Sequence, residues 1–297
     1  MADTIGIVGG GALGTLLASR FVAAKVDVRV LVRSPSRLDR LKRDYPALRV
    51  GTETELLRGS DLVLLCVKAY DVATVAASLA TLDLREAAIA SLQNGWGHME
   101  ILAAALPRLP LLAGATSLGA YLDERGSLRS AEDGKTLVAP WRPGDLARAE
   151  RAAEALRGAG LKAESCSDAR AVLWRKLVLN SAVNPLTALA HCTNGTLARE
   201  PALFAIAEEA AREAARVGWK LEVLERAFDP VAALRSVLQE TAENRSSMLE
   251  DLGRGRRTEV EEITGAVVRL AGEIGESTPV QAALLTLIRT AEGRTQN

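Results

Sequence analysis

The stretch Ile5–Ala24, IGIVGGGALGTLLASRFVAA, joins an apolar run, a glycine-rich turn and a second apolar run. Ile5–Val8 has the composition of a buried strand, and Leu16–Ala24 has the length and apolar character of a helix. Between them lie glycines with the spacing G-x-G-x-x-G: Gly9, Gly11 and Gly14. Such glycines allow a tight turn, close approach of the backbone to a pyrophosphate, and close helix–strand packing. Since a second strand, Val26–Val32, follows, the pattern predicts a Rossmann-type dinucleotide-binding unit.

The residues after the second strand indicate which dinucleotide binds. An NAD site places Asp or Glu there to bind the ribose hydroxyls, whereas this chain has Arg33 and Ser34, with Arg37 nearby. These side chains suit a 2′-phosphate through charge-assisted hydrogen bonds, and Asp27 lies at the wrong end of the strand. We therefore expect NADP (NADPH); the alternative is that Arg33 is a solvated loop residue.

Further apolar runs at βα spacing predict additional strands: Leu62–Val67, Ala87–Leu92 and Leu111–Ala113. A helix is predicted over Val72–Leu82, and a capped amphipathic helix over Asp145–Ala159. Ligands bind outside the carboxyl ends of parallel strands, which are followed here by polar residues: Lys68, Asn94 and Thr116. Each of these could instead be a turn former. Strands at Gly126–Ser130 and Thr136–Ala139 are expected to extend the sheet.

Composition excludes several classes of protein. The 297 residues carry 37 basic and 37 acidic side chains, so no global charge attracts nucleic acid or membrane. No apolar run approaches membrane-spanning length, and no signal sequence is evident, which favours a cytoplasmic protein. Three widely spaced cysteines give neither a disulfide framework nor a zinc site, so no metal is expected. With only His98 and His191, a histidine-based catalytic site is disfavoured.

Strand patterns stop after Cys166, and the rest of the chain is predicted to be helical. We place a domain boundary there, giving a dinucleotide-binding domain over 1–166 and a helical substrate domain over 167–297. Ser167 or Asp168 can cap the first helix. The later helices are expected at Pro201–Val217, Val231–Leu252, Thr258–Ile274 and Pro279–Glu292. Thr258 and Glu261 resemble a capping box.

The stretch Leu173–Ala188, LWRKLVLNSAVNPLTA, contains polar residues inside an apolar helix. Lys176, Asn180 and Asn184 share one face at i, i+4 and i+8, and Pro185 is expected to kink or end the helix. In one interpretation the lysine reaches out to water and the amides bond to neighbours. In the other, the stripe faces a cleft in which a ligand supplies the missing partners.

Two more segments of the helical half stand out. Asn244, Ser247 and Asp251 would share one face of the predicted helix, although a polar face near a helix end is often simply solvated. The basic, glycine-rich segment Gly253–Arg257, GRGRR, is expected to be a mobile lid or an exposed loop.

Together the motifs GxGALG, WRKLVLNSAVNPLTAL, CTNGTL and AENRSSMLEDLxxxxxTE, with a lysine after the third core strand, resemble the ketopantoate reductase (2-dehydropantoate 2-reductase) family over essentially the whole chain. The resemblance implies an N-terminal doubly wound α/β domain followed by an all-α domain. It also implies NADPH-dependent reduction of the C2 ketone of 2-dehydropantoate to (R)-pantoate, on the route to pantothenate and coenzyme A. The expected partner is a small 2-keto acid, with the chain a monomer or homodimer.

The resemblance also implies the site. Lys176 corresponds to the general acid, and Glu259 completes the site beside it. The implied substrate-binding residues are Asn180, Asn184, Asn194, Asn244, Ser247 and Asn94. The implied cofactor-binding residues are Gly9, Gly10, Gly11, Ala12, Leu13, Gly14, Arg33, Lys68, Asn94, Ala120 and Glu259. The segment Gly114–Ala120, GATSLGA, matches the family only loosely, which weakens the implied role of Ala120.

The chemistry agrees with this assignment. Hydride addition to a ketone builds negative charge on oxygen, and an ammonium within hydrogen-bond reach stabilises it and delivers a proton. Because histidine is nearly absent, Lys176 is the obvious donor. Two alternatives stay open: an NADP-dependent reductase of another 2-keto acid or β-hydroxyacid, and a non-catalytic NADP-sensing module.

Overall fold

The computed structural model describes residues 4–84, 87–123, 126–130 and 134–295. The chain divides into two compact units. Unit 1 consists of Met1–Gln93 and His98–Val172, and unit 2 of Asn94–Gly97 and Leu173–Asn297. The short segment Asn94–Gly97 therefore belongs with the helical part of the chain, although it directly follows a strand of the sheet.

Unit 1 contains an eight-stranded sheet with the order β10-β9-β6-β5-β4-β1-β2-β3. Its strands are β1 Thr4–Val8, β2 Asp27–Leu31, β3 Arg49–Gly51, β4 Leu62–Leu65, β5 Ala88–Ser91, β6 Leu111–Thr116, β9 Lys135–Pro140 and β10 Lys162–Ser165. All neighbours are parallel except β6 and β9. The central strands β4 and β5 are buried along their whole length, as expected for a sheet covered on both faces.

Helices of unit 1 follow the strands: α1 Ala12–Ala23, α2 Pro35–Asp44, α3 Val72–Ala80, α4 His98–Ala105 and α5 Leu146–Gly158. Two 3₁₀ turns, Thr54–Leu57 and Ala69–Asp71, complete the connections. The predicted doubly wound α/β architecture is confirmed. The sequence patterns did not reveal α2, α4, β3 or β10, because these elements are short or carry few buried residues.

One expected strand does not join the main sheet. The predicted strand Gly126–Ser130 is shorter, β8 Leu128–Ser130, and pairs antiparallel with β7 Ala120–Leu122 in a separate two-stranded sheet. The physical reason is burial: β8 has no fully buried residue, so it has no face to pack in the core. Asp123 stabilises the hairpin by accepting hydrogen bonds from the Ser127 amide at 2.8 Å and the Arg129 guanidinium at 3.2 Å.

Unit 2 is helical, as predicted. Its helices are α6 Ala169–Ala190, whose first four residues belong to unit 1, α7 Asn194–Arg199, α8 Pro201–Lys220, α9 Pro230–Glu240, α10 Ser247–Gly253, α11 Thr264–Glu273 and α12 Pro279–Thr295. Asp168 caps α6, since its carboxylate accepts a hydrogen bond from the Ala171 amide. Pro185 lies inside α6 and does not end it. The core is formed around Trp174 and the alanine-rich face of α8.

The predicted helix Val231–Leu252 is in fact two helices, α9 and α10. The break occurs because the buried Ser246 hydroxyl accepts a hydrogen bond from the Leu249 amide and starts a new helix there. Asn244 consequently precedes α10 and does not share a helical face with Ser247 and Asp251, so that expectation was wrong.

The predicted helix Thr258–Ile274 begins later, at Thr264. The expected capping box does not form. The Thr258 amide donates to Glu292 at 2.6 Å, and the Glu261 carboxylate pairs with Arg289. Thr258 instead closes a short turn, its hydroxyl accepting from the Val260 amide. Among the described residues, no helix is long and apolar enough to span a membrane.

Candidate active site and dinucleotide-binding turn

The glycine turn after β1 has the geometry that its sequence predicts. Gly9 has a φ of +108°, and a Cβ on it would lie 2.9 Å from the Cys66 backbone. A Cβ on Gly14 would lie 1.9 Å from the Gly9 carbonyl oxygen. By contrast, a Cβ on Gly11 would meet nothing within 4 Å, so the backbone at the start of α1 borders open space. Tight packing at two glycines and room at the third form a cradle that fits a pyrophosphate at a helix N-terminus.

Several other residues expected at the cofactor site also belong to unit 1. Ala12 and Leu13 form the first turn of α1, and a Cβ on Gly10 would collide with Val32 and Arg37 side-chain atoms. Lys68 follows β4 and precedes the 3₁₀ turn Ala69–Asp71. Ala120 is the first residue of β7, in the two-stranded sheet.

Arg33 and Ser34 lie between β2 and α2, at the N-terminus of that helix. The Arg33 side chain is 88% exposed and contacts the Asp71 carboxylate at 3.4 Å. Ser34 is the N-cap of α2, and its hydroxyl bonds to that of Ser36 at 2.8 Å. A guanidinium and two hydroxyls at a helix N-terminus form an anion-binding arrangement.

Lys176 lies on α6, two residues after the buried Trp174, and is only partly exposed. Burial lowers the pKa of its ammonium from 10.5 to about 8, while the negative charge of Glu259 opposes part of that decrease. A lysine with a pKa near neutrality can hold a proton and release it at physiological pH.

Asparagine side chains connect this lysine's helix to Glu259. The Asn180 amide donates to the Asn94 side-chain oxygen at 3.4 Å, and the Asn94 amide donates to the Glu259 carboxylate at 3.4 Å. Both hydrogen bonds are long, and Glu259 is 5% exposed. The structure thus brings together four of the residues selected from the sequence, Lys176, Asn180, Asn94 and Glu259, through contacts within unit 2.

Asn94 reaches this cluster because the segment after β5 packs tightly against the turn that carries Glu259. The Trp96 amide donates to the Glu262 carbonyl oxygen at 2.9 Å. Gly95 has a φ of +94°, and a Cβ on it would lie 2.4 Å from that same carbonyl oxygen. Only glycine permits this close approach, which sets where Asn94 lies.

Asn184 lies two helical turns beyond Lys176, about 12 Å along α6. It is 7% exposed, and its backbone carbonyl oxygen accepts a hydrogen bond from the Thr187 hydroxyl at 3.1 Å. Asn184 lies on the same face of α6 as Lys176 and Asn180.

The other implied substrate residues are arranged around the break between α9 and α10. The Asn194 side-chain amide donates to the Thr241 hydroxyl at 2.9 Å, and the Asn194 backbone amide donates to the Asn244 carbonyl oxygen at 3.0 Å. The side-chain oxygen of Asn194 is buried without a partner among the described residues. Ser247 is exposed at the first position of α10. These residues form a second cluster around the start of α10.

Comparison with known proteins identifies the family. Residues 5–143 match the family model for ketopantoate reductase PanE/ApbA, and residues 168–292 match the model for its C-terminal part. A 2-dehydropantoate 2-reductase from Archaeoglobus fulgidus is 39% identical over 96% of this chain and 97% of its own length. The chain belongs to the ketopantoate reductase family.

Solved structures share the fold of this ketopantoate reductase family member. A PanE/ApbA family ketopantoate reductase from Ralstonia eutropha JMP134 superposes with a TM-score of 0.87 at 24% identity, over 99% of this chain and all of that one. D-Mandelate dehydrogenase, solved with NADH and anilino(oxo)acetate, superposes with a TM-score of 0.91 at 21% identity, over 99% of both chains. At these identities the likeness shows the fold alone.

Sequence patterns missed residues that shape the site of this family member. The Thr187 hydroxyl, buried on α6, donates to Ser246 at 2.7 Å, so it ties α6 to the start of α10. Trp96 packs edge to face on Trp174. The paired serines Ser246 and Ser247 were a usable signal, since a serine before a helix is a common cap, but only Ser247 was selected.

The GRGRR segment Gly253–Arg257 is exposed, which agrees with the expectation of an exposed loop. Its arginines form ion pairs. Arg254 contacts Glu250 at 2.8 Å, Arg256 contacts Asp251 at 3.1 Å, and Arg257 contacts Glu262 at 3.7 Å. Each of the three arginines of this segment forms an ion pair. These contacts favour an exposed, ordered loop over a mobile lid.

Proposed function

We propose that this chain reduces the C2 ketone of 2-dehydropantoate with NADPH, giving (R)-pantoate, and that Lys176 is the general acid. The observation that carries this proposal is the cluster Lys176–Asn180–Asn94–Glu259, in which a partly buried ammonium with a pKa of about 8 lies near a carboxylate. Membership in the ketopantoate reductase family supports the choice of substrate.

The proposed roles follow from charge. A bound reduced nicotinamide supplies a hydride to the carbonyl carbon. The Lys176 ammonium stabilises the negative charge that develops on the carbonyl oxygen and donates a proton to it. The Glu259 carboxylate favours the protonated form of Lys176, because opposite charges stabilise each other. Asn180, Asn184 and Asn194 supply amides for the substrate's hydroxyl and carboxylate, and Asn244 and Ser247 bind that carboxylate.

The dinucleotide is proposed to bind at Gly9–Gly14, where the turn leaves room only at Gly11. We assign Arg33 to the 2′-phosphate because its guanidinium is exposed beside the N-terminus of α2. Lys68, Asn94, Ala120 and Glu259 complete the proposed cofactor site. We also keep the division into domains 1–166 and 167–297 as a proposal.

The test is a steady-state assay that follows NADPH absorbance with 2-dehydropantoate, repeated with NADH. We expect turnover with 2-dehydropantoate and a preference for NADPH over NADH. In Lys176→Met, kcat should fall by several orders of magnitude while the affinity for NADPH is unchanged. Normal turnover in Lys176→Met would contradict the assigned acid.

A second candidate is reduction of another 2-keto acid, because D-mandelate dehydrogenase has the same fold at a TM-score of 0.91. Phenylglyoxylate and short branched 2-keto acids in the same assay separate the two candidates. A higher kcat/KM for one of them than for 2-dehydropantoate would reassign the substrate while leaving the role of Lys176 intact. A non-catalytic sensor would have no use for a lysine tuned to a pKa of about 8.

A further inference from the structure

The segment between α10 and Glu259 follows a defined path. Helix α10 ends in a Schellman arrangement, in which the Gly255 amide donates to Leu252 O at 3.0 Å and the Arg256 amide donates to Asp251 O at 2.9 Å. Gly255 has a φ of +61°, the left-handed conformation that this motif requires at that position. The chain therefore turns sharply and returns past the end of α10.

The same two residues are joined a second time by their side chains. The Arg256 guanidinium contacts the Asp251 carboxylate at 3.1 Å, and that carboxylate is 5% exposed. Arg256 is thus bound to Asp251 through both its backbone and its side chain. Removing one partner of a buried ion pair is destabilising, because the remaining charge loses part of its compensation.

Only two residues separate Arg256 from Glu259, and both sides of the turn are held. The buried Thr258 amide donates to the Glu292 carboxylate at 2.6 Å, from helix α12. The Glu259 carbonyl oxygen accepts from the Ile263 amide at 3.0 Å. The backbone is therefore held on both sides of Glu259, whose side chain is buried.

We propose that Asp251 and Arg256 form a positioning pair that holds the Glu259 turn, so that the Glu259 carboxylate stays beside Asn94 and near Lys176. The inference rests on the proposed function, in which Glu259 and Lys176 act together. Neither Asp251 nor Arg256 needs to touch substrate or cofactor for this role. In this proposal Gly255 of the GRGRR segment makes the return turn, and Arg256 holds that turn through its ion pair with Asp251.

The neighbouring arginine provides a matched comparison. Arg254 lies in the same segment and contacts Glu250 at 2.8 Å, four residues earlier on α10. Glu250 also pairs with Arg245, so loss of Arg254 leaves it with a partner. Arg254→Met therefore removes one arginine from the segment without releasing Asp251.

The charged groups near Lys176 give the readout. Glu259 is a negatively charged group that acts on it electrostatically, and the Asn180 and Asn94 side chains that connect α6 to Glu259 are neutral. If the Glu259 turn moves away, the Lys176 ammonium loses the opposite charge and its pKa falls further. A purely structural role for Arg256 would lower stability and leave this pKa unchanged.

The experiment measures the pKa of Lys176 by pH-dependent acetylation with acetic anhydride, read by mass spectrometry of the peptide that contains it. The variants are Arg256→Met, Arg256→Lys, Asp251→Asn, Arg254→Met and Glu259→Gln, each in the full chain. Urea unfolding shows which variants are folded under the labelling conditions. Arg256→Lys keeps the charge and covers the case in which Arg256→Met does not fold.

We expect the acetylation midpoint of Arg256→Met and Asp251→Asn to fall on the order of one pH unit below that of the unchanged chain, to the value found in Glu259→Gln. Arg256→Lys is expected to lie between these values, and Arg254→Met to be unchanged. In steady-state assays the first two variants lose at least tenfold in kcat with little change in the KM for NADPH.

Unchanged midpoints in folded Arg256→Met or Asp251→Asn would overturn the inference, and so would an equal decrease in Arg254→Met. These outcomes are distinct from failure of the proposed function. If the unchanged chain does not turn over 2-dehydropantoate, the acetylation midpoints still report whether Asp251 and Arg256 hold Glu259 near Lys176.

Discussion

The indole of Trp96 meets the indole of Trp174 edge to face, with 4.8 Å between the ring centroids and 78° between their planes. Trp174 is fully buried, and its Nε1 donates to the Ala214 carbonyl oxygen on α8 at 3.0 Å. The two rings pack the segment that carries Asn94 against the helix that carries Lys176. The packing around Trp174 therefore supports both the core of unit 2 and the position of a site residue.

Gly218 on α8 makes room for Trp174, since a Cβ there would lie 2.1 Å from the indole Nε1. Gly218→Ala should displace the ring and reduce the free energy of unfolding by about 1–3 kcal/mol, the usual cost of overpacking. We also expect lower turnover, because Trp96 and Asn94 follow the ring. Urea unfolding and steady-state kinetics measure the two effects.

Gly272→Ala on α11 is the matched control, because a Cβ there meets nothing within 4 Å. It should raise helix stability by at most about 1 kcal/mol. Equal effects of the two substitutions would show that the Gly218–Trp174 contact is relaxed in solution.

The pH dependence of ketone reduction should report Lys176. Its ammonium form is the proton donor, and its pKa is about 8, so kcat/KM should be level below that value and decrease as pH rises through it. In Glu259→Gln the decrease should start at lower pH, since the carboxylate raises this pKa. Incubating the enzyme at each pH before assay at neutrality controls for inactivation. A profile that stays level to pH 10 would exclude Lys176 as the donor.

The lowered pKa of Lys176 also affects stability. The folded-state pKa is about 8 and the ordinary value is 10.5, so the unfolded chain binds more protons between these values. The free energy of unfolding therefore rises with pH from 8 to 10.5. Below pH 8 the folded protein carries the full cost of the buried charge, about 3 kcal/mol.

Lys176→Met removes that cost, so the variant should be more stable than the parent, most of all below pH 8. Its advantage should shrink toward pH 10.5. Urea unfolding of both proteins across this pH range gives the difference in their free energies of unfolding. Contributions from the other titrating groups cancel in that difference. Lys42→Met, at an exposed position, serves as the control and should show no such trend. A constant difference between Lys176→Met and the parent would mean that the lysine titrates normally.

Arg33 should determine the choice between NADPH and NADH. Arg33→Met removes an exposed guanidinium proposed to bind the 2′-phosphate, so the KM for NADPH should rise at least tenfold while that for NADH changes little. Arg43→Met removes another exposed arginine, on α2, and should change neither value. If both cofactors lose affinity equally in Arg33→Met, the residue contributes only to the shape of the turn.

Thr187 should affect stability and keto acid binding through its hydrogen bond to Ser246. Thr187→Val keeps the shape of the side chain but removes the buried hydrogen bond of 2.7 Å to the Ser246 hydroxyl, at a cost of about 1–3 kcal/mol. Because Ser246 starts α10 and precedes Ser247, the KM for the keto acid should rise more than the KM for NADPH. Thr286→Val, on the exposed side of α12, should be within about 0.5 kcal/mol of the parent. A rise confined to the cofactor KM would place Ser247 outside the substrate site.

Local patterns predicted the parts of the structure that obey local rules. The Gly9–Gly14 turn was predictable because its glycines have the G-x-G-x-x-G spacing between an apolar strand and an apolar helix. The stripe of Lys176, Asn180 and Asn184 was predictable because α6 is continuous and has the helical period. Both the sheet and the helical half followed from such periodicities.

Contacts between distant segments were not predictable in this way. The Asn94–Glu259 hydrogen bond joins residues 165 positions apart, and its existence depends on Gly95 approaching the Glu262 carbonyl. No periodicity in either segment reports that meeting; the resemblance to the family only suggested that both residues share a site. The break before α10 was missed although its signal is local: the chain is mostly polar from Gln239 to Ser247, and the Ser246 hydroxyl caps the new helix.

The double attachment of Arg256 to Asp251 has a consequence for chain length. At present the same two residues, Asp251 and Arg256, are joined by a backbone hydrogen bond and by an ion pair. If one residue were inserted or deleted between Asp251 and Gly255, Arg256 could no longer form both. One residue inserted or deleted between Arg256 and Glu259 would leave Arg256 bound while moving the carboxylate away from Asn94. Surface loops usually tolerate changes in length well, whereas here the exposed residues 253–257 join two buried carboxylates, Asp251 and Glu259, across a fixed number of residues.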